Sequence, residues 1–348
     1  MTCRFSIASI PALDESGFAF RAVTTLRSSE PLNPKFTLSA SRISPLSAAL
    51  QRLSSVLETE GPFLARELRA WMSRISPSAE PSGHFEHRRM FPLLQMPEWV
   101  AESFSVSCDP AFHQAITYSS LCGYYYTRLI DNFMDADVEV EYRNRSLLSA
   151  AGFLASEFQF AYQPYFLAQH DFWNHFREIW LEAAESTAQD AALWTVTEND
   201  FERISSRKFA AAGIPVAATC YFYGHPEAIP AWIDFTQTLG RWSQMFDDVL
   251  DWHEDRQQGR ATWFLTEAER RRDASESVDQ WVLRAGSAWG FSLLAEWLED
   301  LQRRARDLGS PGLLDFLEQR EMLQREKQEE WRAGLAALTE LAGILRMT

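Results

Sequence analysis

Cysteine is scarce in this 348-residue sequence: Cys3, Cys108, Cys122 and Cys220 form no CxxC pair. That spacing offers neither a disulfide framework nor a thiolate cage, so the sulfurs read as small buried hydrophobes in a reducing, cytoplasmic protein. No run of about 18 apolar residues occurs, which argues against an integral membrane segment. The opening residues, MTCRFSIASIPALDESG, lack the charged-then-apolar order of a signal peptide. Positive charge is also in deficit. The 33 lysines and arginines face 48 aspartates and glutamates, a formal charge of −15. A nucleic-acid partner needs a basic surface to displace phosphate counterions, so that class is disfavoured. GxSxG, Walker A and GxGxxG patterns are missing. His170 and His175 are five apart, off the i, i+4 register of a helical zinc pair, and His253 reads as a packing histidine. No β-alternation of useful length and no long internal repeat appears.

What remains is helical and aromatic, with 13 Trp, nine Tyr and 24 Phe. Residues 1–44 are rich in Ser, Thr, Pro and Arg and read as a flexible or loosely attached arm, with a short extended piece around Phe18–Thr25. From Pro45 a helical period takes over, as in Leu46, Leu50, Leu53 and Leu57. Gly61-Pro62 ends that helix and starts the next, over 62–75. Further helices are expected over 110–135, 144–166, 171–187, 197–222 with a bend at Gly213–Pro215, 228–256, 272–306 and 311–345. The expectation is all-α, one domain over 45–348 of about ten helices.

Two acidic clusters fall inside these apolar helices. In QMFDDVLDWHED, Asp247, Asp251 and Asp255 share one face at i, i+4, i+8, and Gln244, Asp248 and Asp251 overlap it. Met245, Phe246, Val249 and Leu250 imply that the helix is buried, so something cationic must face the carboxylates. The second cluster, in YYYTRLIDNFMDAD, places Asp131 and Asp135 at i, i+4, with Asp137 beyond and Arg128 one turn earlier. Paired hard oxygens suit Mg2+, which completes its octahedron with waters and phosphate oxygens. Basic residues that suit a diphosphate are present as well: Arg203, Arg207 and Lys208 in FERISSRKFAAAGIP, and Arg256 and Arg260 after the second cluster.

With these residues the sequence resembles the class I isoprenoid synthases, in particular the trans-prenyl diphosphate synthases. Gln244, Asp247, Asp248 and Asp251 match the family's second aspartate motif, QxxDDxxD, and Asp255 with Gly259-Arg260 looks like its continuation. Asp131 to Asp135 is similar to the first motif, DDxxD, with Asn132 at the second aspartate. Lys208-Phe209 is similar to the Lys-Thr element, and HRRMFPLL from His87 to Leu94 is similar to GKxxRPLL. There Arg88 stands for the lysine, and Phe91 takes the arginine position. The four elements cover residues 85–265 in family order.

The resemblance implies a helical bundle around a central apolar cavity, a homodimer, and Mg2+ at about three ions per active site. It assigns the metal to Asp131, Asp135 and Asp247 with Asp251 and Gln244 close by, and the diphosphate to Arg128, Lys208, Arg207 and Arg260. Arg128, Lys208 and Arg260 would also serve catalysis by stabilising charge on the leaving diphosphate. Tyr125, Tyr126, Phe209, Tyr221, Trp242 and Phe246 are expected to line the prenyl pocket; Tyr126, five before Asp131, would floor it. Phe91 and the segment ADVEVEYRNRS, which lacks paired arginines, leave the second-substrate site of chain-elongating members damaged. The expected activity is therefore a terpene synthase, ionising one prenyl diphosphate and cyclising the cation. The alternatives are a prenyl diphosphate synthase using isopentenyl diphosphate, or a catalytically silent partner subunit of one.

Overall fold

The structure is a computed structural model that describes residues 40–76, 81–85, 87–134 and 146–345. In chain order its helices are α1 (Ala40–Glu60), α2 (Pro62–Ile75), α3 (Pro81–Phe85), α4 (Met96–Ser103), α5 (Pro110–Met134), α6 (Ser146–Phe160) and α7 (Phe172–Asp190). There follow α8 (Glu198–Lys208), α9 (Gly213–Phe222), α10 (Ile229–Gln257), α11 (Trp263–Arg271), α12 (Val278–Trp281), α13 (Ser287–Leu308) and α14 (Pro311–Leu345). No strand occurs among the described residues, as the all-α expectation requires. Of the described residues, 40–324 form one compact unit, which holds the core, and 325–345 fall in a second. The expected arm and its extended piece at Phe18–Thr25 lie outside the described residues up to Ala40, where α1 starts.

α10 is the central organiser. It buries Trp232, Phe235, Leu239, Trp242, Met245, Phe246, Val249 and Trp252, spaced three or four apart, against α13 and α8. Each such burial contributes about 1.5–3 kcal/mol, whereas an exposed like-charge pair at i, i+4 costs about 0.2–0.5 kcal/mol. The carboxylates on the buried face of α10, Asp248 and Asp255 among them, cost far more than that surface figure and need partners of their own. Close approach is secured at Gly290 of α13, where a Cβ would come 2.6 Å from Val249.

Several boundaries differ from those read in the sequence. The helix expected over 197–222 is two helices parted at Phe209 and a 3-10 turn, Ala210–Ala212. The one expected over 272–306 is α12, a π turn at Val282–Gly286, and α13. α6 ends at Phe160, short of 166, and α11 was hidden behind Gly259. α11 is capped by Thr262, whose hydroxyl accepts from the Leu265 N–H at 3.2 Å. The short helices α3 and α4 also fall where no helix was expected. The described residues do not show the central apolar cavity implied by the resemblance; the large cavity they form carries acids and bases beside apolar residues. None of the helices searched is long and apolar enough to cross a membrane.

Candidate active site

Asp131 from the last turn of α5, Lys208 from the end of α8, and Gln244, Asp247, Asp248 and Asp251 from α10 line one cavity of about 770 Å3. Arg128 and Arg260 are on its wall too, as are Asp190 and Asp255. The local sequence explains these placements. α8 starts at a capping box, Thr197 with Asp200, and stops at Phe209, so Arg207 and Lys208 fall in its last turn, where the helix dipole favours cations. α10 ends in a turn through Gly259 at φ +69°, a left-handed conformation suited to glycine, and the Arg260 N–H returns to the Asp255 carbonyl at 2.8 Å.

Each carboxylate has a different environment. Gln244 donates from Nε2 to Asp248 Oδ1 at 2.8 Å. Burial pushes the Asp248 carboxyl up to about 8, against the Gln244 hydrogen bond. Asp255 is also pushed up by burial, to about 6, with Arg260 opposing at 3.7 Å. Asp247 and Asp251 share a cation. Arg89 donates from Nε and Nη2 to Asp247 Oδ1, at 3.1 and 2.5 Å, and from Nη2 to Asp251 Oδ2 at 2.8 Å. Burial alone would lower the Arg89 pKa, but the two carboxylates raise it well above its ordinary value. Lys208, also on the cavity wall, donates to Asp190 Oδ2 at 2.6 Å. Its burial is overcome by Asp190, then by Asp131 and Asp248, which hold the ammonium charged.

One Arg89 nitrogen within reach of both Asp247 and Asp251 means that these carboxylates converge on a single cation-sized point. Hard oxygens converging in this way fit Mg2+, which takes one or two carboxylates and fills its other positions with water and phosphate. Among the described residues no three His, Cys, Asp or Glu side chains are grouped to hold a metal by themselves. Asp135, the other expected ligand, lies outside the described residues.

Arg207 is not on the cavity wall; its Nε pairs with Glu182 at 3.1 Å. The six expected pocket aromatics do not line this cavity either. Tyr125 is buried against Trp71 and Phe85, Tyr126 packs on Trp180, and Phe209 stacks on Phe91. Tyr221 meets His175, while Trp242 stacks on Phe246 and donates from Nε1 to the Leu294 carbonyl at 3.1 Å. The aromatic rings on the cavity wall are instead Phe201 and Trp263, 4.9 Å apart, and the exposed Trp194. Sequence reasoning missed these, together with Asp190 and Arg89; Arg89 sits inside HRRMFPLL, at a position the motif leaves unspecified.

No protein-family model and no curated protein matches the sequence. Solved structures do. One is a geranylgeranyl pyrophosphate synthetase from the archaeon Geoglobus acetivorans, 15% identical with a TM-score of 0.63 over 81% of this chain and 99% of that one. The chain has the isoprenoid synthase fold. The farnesyl pyrophosphate synthase of T. brucei is similar as well, 14% identical with a TM-score of 0.51 over 84% of this chain and 98% of that one. At such identities the likeness is one of fold. In this isoprenoid synthase fold, the two acidic helices recognised in the sequence, α5 and α10, border the same cavity.

Proposed function

We propose that the cavity binds a linear prenyl diphosphate with Mg2+ and releases its diphosphate. The observation that carries this reading is the convergence of Asp131, Asp247 and Asp251 with Lys208, Arg128 and Arg260 on one cavity. Asp247 and Asp251, with Asp131, are the residues that would hold the metal, which when bound supplies positive charge to the departing diphosphate. Lys208 and Arg260 donate to the remaining phosphate oxygens, and Arg128 adds charge at the rim. Phe201 and Trp263 offer π faces, each worth about 0.5–2 kcal/mol to a nearby cation.

The fate of the allylic cation divides two readings. The similar solved structures are prenyl diphosphate synthases, which favours condensation with isopentenyl diphosphate over the cyclisation expected from the motifs. Condensation is therefore put first. Cyclisation is the second reading, and one observation favours it. Phe91 holds the position of a second-substrate arginine in the resembled motif, and its ring is stacked on Phe209.

Incubation with geranyl, farnesyl and geranylgeranyl diphosphates and Mg2+, with and without isopentenyl diphosphate, separates them by mass spectrometry. A lengthened diphosphate supports condensation, and a hydrocarbon or alcohol from one substrate supports cyclisation. Asp131→Ala and Asp247→Ala should abolish diphosphate release in either case. No release by the wild-type protein from any of these substrates would overturn both readings and point to a silent partner subunit.

A further inference from the structure

We infer that Arg89 is a diphosphate-binding residue whose guanidinium exchanges with divalent metal for the carboxylates of Asp247 and Asp251; this rests on the metal-dependent reading above. Three features of the structure lead to it. Arg89 already occupies the point on which the two carboxylates converge, through the three hydrogen bonds given above. Its loop is also fixed in place. Arg320 of α14, buried at 3% exposure, donates from its two terminal nitrogens to the carbonyls of Arg88 and Met90 on either side of it. The Arg320 guanidinium lies 4.6 Å from the centre of the Phe316 ring. With the backbone clamped on both sides, the choice left to Arg89 is where its side chain points.

The third feature is chemical. A guanidinium does not deprotonate in proteins, so raising the pH does not release the pair with Asp247 and Asp251. A competing cation releases it. Mg2+ brings two charges to the same oxygens, and the diphosphate that arrives with it offers Arg89 replacement oxygens in the planar geometry a guanidinium fork matches. Metal alone must evict Arg89 without giving it a new partner. Metal with diphosphate exchanges one charged pair for two. The carboxylates are thereby held in place before the metal arrives, and metal and diphosphate bind cooperatively.

The test is Mn2+ binding to the full-length protein without substrate, followed by electron paramagnetic resonance and calorimetry, in wild type, Arg89→Met and Arg89→Lys. Loss of a charged competitor should make Arg89→Met bind Mn2+ about ten-fold tighter, and Arg89→Lys should change less. Inorganic pyrophosphate, titrated in the presence of Mn2+, should bind more weakly to Arg89→Met. Equal or weaker Mn2+ binding by Arg89→Met overturns the exchange while leaving the metal reading intact. Absence of Mn2+ binding by all three proteins overturns both. Should Arg89→Met fail to fold, the wild-type protein answers by nitrogen-15 NMR of arginine Nε–H groups, the Arg89 signal being the one missing from Arg89→Lys. Mg2+ with pyrophosphate should shift it, and an unmoved signal overturns the exchange.

Discussion

Phe91 and Phe209 lie ring on ring, with centroids 4.7 Å apart and planes 29° apart. The contact joins the loop before α4 to the break between α8 and α9, one residue after Lys208. Beneath it passes Gly240 of α10, where a Cβ would come 2.9 Å from the Cβ of Phe209. Three segments of the cavity surroundings are thus fastened at one aromatic pair.

Phe91→Arg tests what that pair does. It removes a ring stack worth about 0.5–1.5 kcal/mol and should lower stability by about 1–3 kcal/mol, read in urea melts. If the position limits use of a second substrate, the same variant should raise the share of lengthened product when isopentenyl diphosphate is supplied, read by mass spectrometry.

Gly240→Ala is expected to destabilise by about 1–3 kcal/mol, because the added methyl meets the Cβ of Phe209 and not a flexible chain end. The helix propensity of alanine returns at most about 1 kcal/mol. Calorimetric melting should therefore show a net loss, and Gly240→Ala combined with Phe209→Ala should recover part of it.

Lys208→Met should reduce kcat/KM for prenyl diphosphate by about 10²-fold, the usual cost of removing one donor to developing charge. It also leaves Asp190 without the partner it holds at 2.6 Å. Lys208→Arg should recover part of the activity in steady-state assays of diphosphate release.

His84 makes stability depend on pH. Its Nδ1 lies 3.2 Å from the Ile75 carbonyl, and its Nε2 meets the Tyr124 hydroxyl. Nδ1–H donating and Nε2 accepting require the neutral ring. Burial lowers its pKa below the ordinary imidazole value of about 6.5. A depressed folded value means that the unfolded chain takes up the proton first as pH falls. Its stabilisation is therefore complete above about pH 6.5 and is lost toward the lower folded value, at no more than about 1.4 kcal/mol per pH unit. Melts of wild type and His84→Gln between neutral and mildly acidic pH should show the shallower slope in the variant.

Legibility from the sequence followed the range of the interactions. α5, α10 and α14 were readable because their apolar spacing is local and long, and the acidic clusters were readable because like charges one turn apart in a buried helix demand a counter-cation. α11, with nine residues after Gly259, offers too little period to separate from a loop. Trp242 and Phe246 recur at the spacing a cavity wall would show, but a core contact with α13 produces the same spacing, and only the neighbouring helix decides. Arg89 meets Asp247 across 158 residues of sequence, so no local pattern announces it.

The hydrogen bonds from Arg320 to the backbone on either side of Arg89 have a consequence for how the molecule is made. The loop they hold lies near the beginning of the described chain, and Arg320 belongs to the last helix. A nascent chain that has already produced both acidic helices still lacks the residue that clasps this loop. Fixing of the Arg89 loop is thus deferred until α14 has been made and packs.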